Sequence, residues 1–79
     1  MFYVYVLRSV EKGRRYVGMT NHLDRRLKEH NEGKNRSTKG FAPFELVYIE
    51  EFEERTEARK REKYLKSGIG REYLDNVLK

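Results

Sequence analysis

Seventy-nine residues are enough for one small domain, taken here as residues 1–79, whose core must be compact because a chain this short buries only about 60–65% of its unfolded surface. The absence of cysteine excludes disulfides and thiol catalysis, and two histidines, His22 and His30, are too few for a structural zinc site. With 18 Lys+Arg against 13 Asp+Glu the chain carries +5, the balance of a nucleic-acid binder or of an ordinary charge-rich surface. No apolar run approaches the length of a membrane span and nothing resembles a signal peptide, so the expected location is cytoplasmic.

Phe2 to Arg8 alternates as a strand, with Phe2, Val4 and Val6 on one face and Tyr3, Tyr5 and Leu7 on the other. Both faces are apolar or aromatic, which suits a strand covered on both sides and central in its sheet. Glu11-Lys12-Gly13 is a turn with glycine available for positive φ, and Arg15 to Gly18 returns as a second strand to give a hairpin. Asn21 followed by Asp24 reads as a capping-box-like pair opening a helix from about His22 to Asn31, with Gly33 as terminator. Residues 32–43 form a polar loop ending at Pro43, the only proline. Phe44 to Phe52 is the third strand, with Leu46, Tyr48 and Phe52 alternating against Val47 and Ile49. Thr56 is expected to cap a second helix running to about Lys66; Ser67-Gly68 breaks it before a last helix from Arg71 to Leu78. The order β-β-α-β-α-α predicts an α+β fold, a three-stranded, largely antiparallel sheet flanked by helices.

Several residues break these patterns. The inward stripe of the first helix reads Leu23, Arg26, Leu27, His30, and that of the second reads Ala58, Glu62, Leu65, continuing to Ile69 if the helix does. A guanidinium or carboxylate beside a core needs a partner or a ligand. Arg26 and Glu62 are therefore either two halves of a structural ion pair or members of a site. Tyr5 and Tyr16 are either amphipathic core residues or reactive phenols, and His30 either edges the core or shares in catalysis. Because Tyr16 and Gly18 end a strand that leads into the helix of Arg26 and His30, phenol, guanidinium, imidazole and carboxylate are expected to meet on one face of the sheet. That inventory suits phosphodiester hydrolysis.

On these residues the chain resembles the GIY-YIG nuclease family over nearly its whole length. Its first motif appears as Tyr3-Val4-Tyr5 and its second as Tyr16-Val17-Gly18; Arg26, His30 and Glu62 follow at the family's spacing. Tyr3 replaces the leading glycine, as in the small stand-alone members of the family. Met19-Thr20 stands where some repair nucleases of the family carry a lysine, and 79 residues are not expected to hold a separate DNA-recognition domain such as better-known relatives attach.

The resemblance implies a DNA endonuclease, in the setting of repair or recombination, assisted by a single Mg²⁺ or Mn²⁺ with Glu62 as the one protein carboxylate on the metal. It implies Arg26 on the scissile phosphate, Tyr16 as general base with help from His30 or nearby positive charge, and Tyr5 orienting water or phosphate; which of Tyr16, Tyr5 and His30 takes the proton stays open. The competing class is a nucleic-acid-binding module of the same fold that cuts little or nothing, with a purely structural interaction domain third. In either nucleic-acid reading the basic loop residues Lys34, Arg36 and Lys39 are expected to touch phosphates.

Overall fold

The computed structural model describes residues 1–34 and 38–78. Its elements are β1 (Phe2–Ser9), β2 (Arg15–Thr20), α1 (Leu23–Asn31), a single 3-10 turn (Lys39–Phe41), β3 (Phe44–Phe52), α2 (Arg55–Lys66) and α3 (Gly68–Val77). β1 is central in the order β2-β1-β3 and antiparallel to both neighbours, which follows from its being apolar on both faces. The hairpin closes on Gly13, whose φ of +69° needs no Cβ, with the Ser9 N–H donating to the Arg14 carbonyl. α1 then carries the chain over β1, so that β3 lies beyond it rather than beside β2.

The two faces of β1 feed two separate cores. Val4 and Val6, with Val17 from β2, pack against Ala58, Leu65 and Leu74 of α2 and α3. Tyr5 and Leu7 pack with Phe44 on the opposite face, where Tyr16, Leu23 and Leu27 close over them. Each fully buried aliphatic side chain contributes about 1.5–3 kcal/mol, and Val4, Val6, Leu7, Leu65 and Leu74 are all buried. On the α2 side a polar cluster finishes the packing. Arg61 grips Glu50 with two nitrogens at 2.8 and 3.0 Å and lies over the rings of Tyr64 and Tyr73, while Tyr48 donates to Glu50.

Several expectations are corrected. α1 starts at Leu23 with His22 as N-cap, and neither Asn21 nor any other side chain caps it; the His22 N–H donates instead to Thr20 Oγ1 at 3.0 Å. α2 starts at Arg55 on Glu54, one residue before Thr56. A register shift opposite Val6 and Leu7 bulges β3 at Val47, so Leu46 pairs with Leu7 and Tyr48 with Val6, on opposite faces. The helix of Glu62 stops at Lys66, leaving Ile69 exposed in α3. α3 begins three residues earlier than expected, because Ser67 Oγ accepts from the Gly70 N–H and so caps it. Gly33 behaves as expected: with φ +75° it closes α1 through the Gly33 N–H to the His30 carbonyl and the Lys34 N–H to the Glu29 carbonyl.

Candidate active site

Tyr5 and Gly18 are direct partners across β1 and β2. A Cβ on Gly18 would overlap the Tyr5 hydroxyl and Cζ, so the missing side chain is what lets the Tyr5 ring lie across β2 toward the free edge of the sheet. There its hydroxyl meets His30 Nε2 at 3.0 Å. The other ring nitrogen, Nδ1, bonds Thr38 Oγ1 at 2.8 Å. His30 is wholly buried, with the Tyr16 ring tilted against it at 4.9 Å between centroids and Phe44 edge-on at 6.2 Å. Asn31, next along α1, anchors this wall by accepting from the Phe44 N–H at 2.6 Å.

The electrostatics follow from this packing. Burial pushes the Tyr5 phenol up to about 12; the adjacent Arg26 guanidinium opposes the rise, and the charges of Tyr16 and Glu62 add to it. Burial, then the Arg26 charge, hold His30 below the usual imidazole range, so it is neutral at pH 7. Proximity to the Tyr5 hydroxyl raises Arg26, which stays fully charged. Arg26 Nη1 reaches Glu29 at 3.4 Å, whereas its buried Nε has no hydrogen-bond partner among the described residues. The guanidinium is thus held loosely by the protein and retains donors for a ligand.

Four of the five expected residues, Tyr5, Tyr16, Arg26 and His30, gather around one centre on the α1 face. Glu62 reaches it differently. Its helix packs on the opposite face of the sheet, so the expectation of a single shared face is corrected: the groups straddle the β2 edge. α2 packs along β2, and the Glu62 carboxylate is near enough to act on the Tyr5 hydroxyl. The alternative of an Arg26–Glu62 ion pair does not form. Arg26 pairs with Glu29, and the buried Glu62 is bridged by Arg59 at 3.2 Å and Lys66 at 3.1 Å.

The help expected from His30 to Tyr16 is also corrected, because both ring nitrogens are engaged by Tyr5 and Thr38 and Tyr16 touches only the ring. Tyr5 is almost fully buried and its hydroxyl is already bonded, so Tyr16, which lines two surface cavities, is the phenol that a substrate can meet. Of the basic loop, Lys34 and Lys39 are exposed, Lys34 is paired with Glu32 at 3.2 Å, and Arg36 lies outside the described residues. Thr38, and Phe44 beyond its place at the start of the third strand, were not among the expected site residues. The only signal was a hydroxyl in a basic loop, and nothing local ties it to His30.

A divalent ion on Glu62 fits the donor chemistry present. Mg²⁺ commonly takes one or two carboxylates with water and substrate oxygens, and the side chains now on Glu62 are more than half exposed and so free to swing away. Among the described residues no group of three His, Cys, Asp or Glu comes together.

A hairpin that aims a tyrosine at a helix histidine, with arginine and glutamate at the same sheet edge, is thus built into a three-stranded α+β domain. The chain belongs to the GIY-YIG family: the GIY-YIG catalytic domain matches residues 1–73. It is 45% identical to a UPF0213 protein of Clostridium perfringens over 84% of this chain and 71% of that one. It is 40% identical to a UPF0213 protein of Oceanobacillus iheyensis over 81% and 74%. The solution NMR structure of a UPF0213 protein from Bacillus halodurans matches with a TM-score of 0.58 at 37% identity, covering 98% of this chain and 85% of that one.

Proposed function

We propose that the protein is a metal-dependent endonuclease that hydrolyses DNA phosphodiester bonds. The observation that carries this reading is the ordered set at the β2 edge, in which a buried neutral His30 holds Tyr5 while Tyr16 and Arg26 remain open to a ligand. Tyr16 takes the proton of the attacking water, helped by the positive charge around it. Arg26 binds the scissile phosphate, and its planar fork matches two phosphate oxygens as the charge builds. His30, Tyr5 and Thr38 act as positioning residues that fix the wall on which Tyr16 rests. Glu62 is the residue that would hold Mg²⁺ or Mn²⁺, which when bound supplies Lewis acidity to a phosphate oxygen.

The loop of Lys34, Arg36 and Lys39 adds sequence-independent phosphate contacts. The membership in a nuclease superfamily supports this reading. The engagement of both Glu62 oxygens by Arg59 and Lys66 favours a second one, a nucleic-acid-binding module that does not cut. A cleavage panel with Mg²⁺ or Mn²⁺ over branched, nicked and single-stranded DNA and over RNA, with Glu62→Ala as control, decides between them. Cutting of DNA that depends on both metal and Glu62 is the expected result; binding without cutting on every substrate supports the second reading.

A further inference from the structure

Charge is divided between the two edges of the sheet. Residues 40–54, which form β3 and its approaches, contain Glu45, Glu50, Glu51, Glu53 and Glu54 and no lysine or arginine. At the β2 edge the balance is reversed. Among the described arginines, Arg8, Arg15, Arg26, Arg59 and Arg61 are each paired with a carboxylate. The described arginines that have no such partner are Arg14, Arg25, Arg55 and Arg71, all exposed.

These unneutralised arginines are not scattered. Arg14 and Arg71 line a cavity of about 520 Å³ that also takes in Tyr16 and Lys66. Arg25 and Arg55 line a second cavity of about 240 Å³, together with Arg26 and Thr20. The first lies at the Arg15 end of β2 and the second at its Thr20 end. The six residues of β2 between them span on the order of 20 Å at about 3.3 Å per residue, a length matched by about six nucleotides at a rise of about 3.4 Å. Arginine without a carboxylate partner, in pairs at the two ends of an edge strand, is a chemistry for phosphate oxygens rather than for a neutral ligand; Arg14, which lies over the Phe41 ring, keeps its charge unneutralised.

We propose that the outer edge of β2 is the track of one nucleic-acid strand, its backbone held by Arg14 and Arg71 at one end and by Arg25 and Arg55 at the other, with the scissile phosphate at Arg26 within the second of these ends. This rests on the nucleic-acid reading of the same site and adds its direction and its two-sided grip. The grip is on phosphate, so it holds all sequences alike.

The test is fluorescence anisotropy of the whole chain with a labelled oligonucleotide of mixed sequence, in chelator, over a salt series. R14A/R71A and R25A/R55A should each lower the slope of log K against log salt by about 1.4–1.8 units, the change expected when two phosphates are no longer neutralised by the protein. K60A/K63A, which removes exposed cations of α2 outside both cavities, should leave the slope unchanged. Thermal melts establish that each variant is folded, and the Gln forms replace any Ala form that melts early. An unchanged slope in either arginine pair overturns the two-sided track, and so does an equal loss in K60A/K63A. Parent protein that binds but shows either result loses the track alone. Parent protein that binds no nucleic acid loses the nuclease reading as well.

Discussion

Gly18 stands within a strand, where there is no turn to make, and its lack of a side chain sets the position of the Tyr5 hydroxyl. Gly18→Ala forces the buried Tyr5 ring aside and breaks its bond to His30. The expected cost is about 1–3 kcal/mol by urea denaturation, as for overpacking elsewhere, with cleavage reduced about a hundredfold by the displaced site. His30 makes a second prediction. Its pKa is lowered in the folded chain, so its contribution is whole above the ordinary value of 6.5. As pH falls from there toward the lower native value, the unfolded chain takes up a proton that the folded one refuses, and stability is lost. Urea midpoints across this window should fall in the parent and flatten in His30→Gln. Thr38→Val leaves the buried Nδ1 without this partner and should cost about 1–3 kcal/mol at neutral pH. His30 was visible in the sequence as an oddity, whereas Gly18 read as the end of a strand that in fact runs on to Thr20. Their coupling through Tyr5 was not visible, because it joins residues 25 apart in the chain.

At the scale of elements, α2 carries two charged devices on different sides. Arg61 and Glu50 lock β3 to the helix pair under Tyr48, Tyr64 and Tyr73. Glu62 sits by the β2 edge, bridged only by exposed partners. Gln keeps the shape of the buried Glu62 and its amide oxygen can still accept from one of these exposed partners, so Glu62→Gln should change stability by only about 1 kcal/mol. It should abolish Mn²⁺ binding and cleavage. A melt beside a Mn²⁺ titration checks both, and a loss of about 3–5 kcal/mol would mark instead a buried pair broken. The buried stripe Ala58, Glu62, Leu65 was legible from helical spacing. The start of α3 was not. Gly68-Ile69-Gly70 reads as a breaker, yet Gly70 is required where the backbone packs on the Tyr64 carbonyl and Leu65 Cα.

Over the whole molecule the acidic β3 edge and the basic β2 edge should steer a polyanion toward the β2 side. Neutralising Lys34, Arg36 and Lys39 together should weaken binding alike for all sequences. The salt slope should drop by about one to two units rather than the three that three free cations would give, since Lys34 already pairs with Glu32. Arg26→Ala should cut cleavage far more than binding, because its charge matters most as the transition state forms. Anisotropy and single-turnover cleavage on the same substrate separate the two.

The strand and helix order, the central place of β1 and the inward helix stripes that carry Arg26, His30 and Glu62 were legible in the sequence, since periodicity and residue spacing are local properties of a chain. Side-chain partners are not local. The bulge at Val47, the exchange of an Arg26–Glu62 pair for Glu29 on one side and Arg59 and Lys66 on the other, and the site straddling a strand edge all depend on how close the helices come to the sheet. So does the choice of which arginines stay unpaired. Each is settled by packing between distant segments, where a shift of one residue in register or one turn of helix moves a charge from partner to solvent.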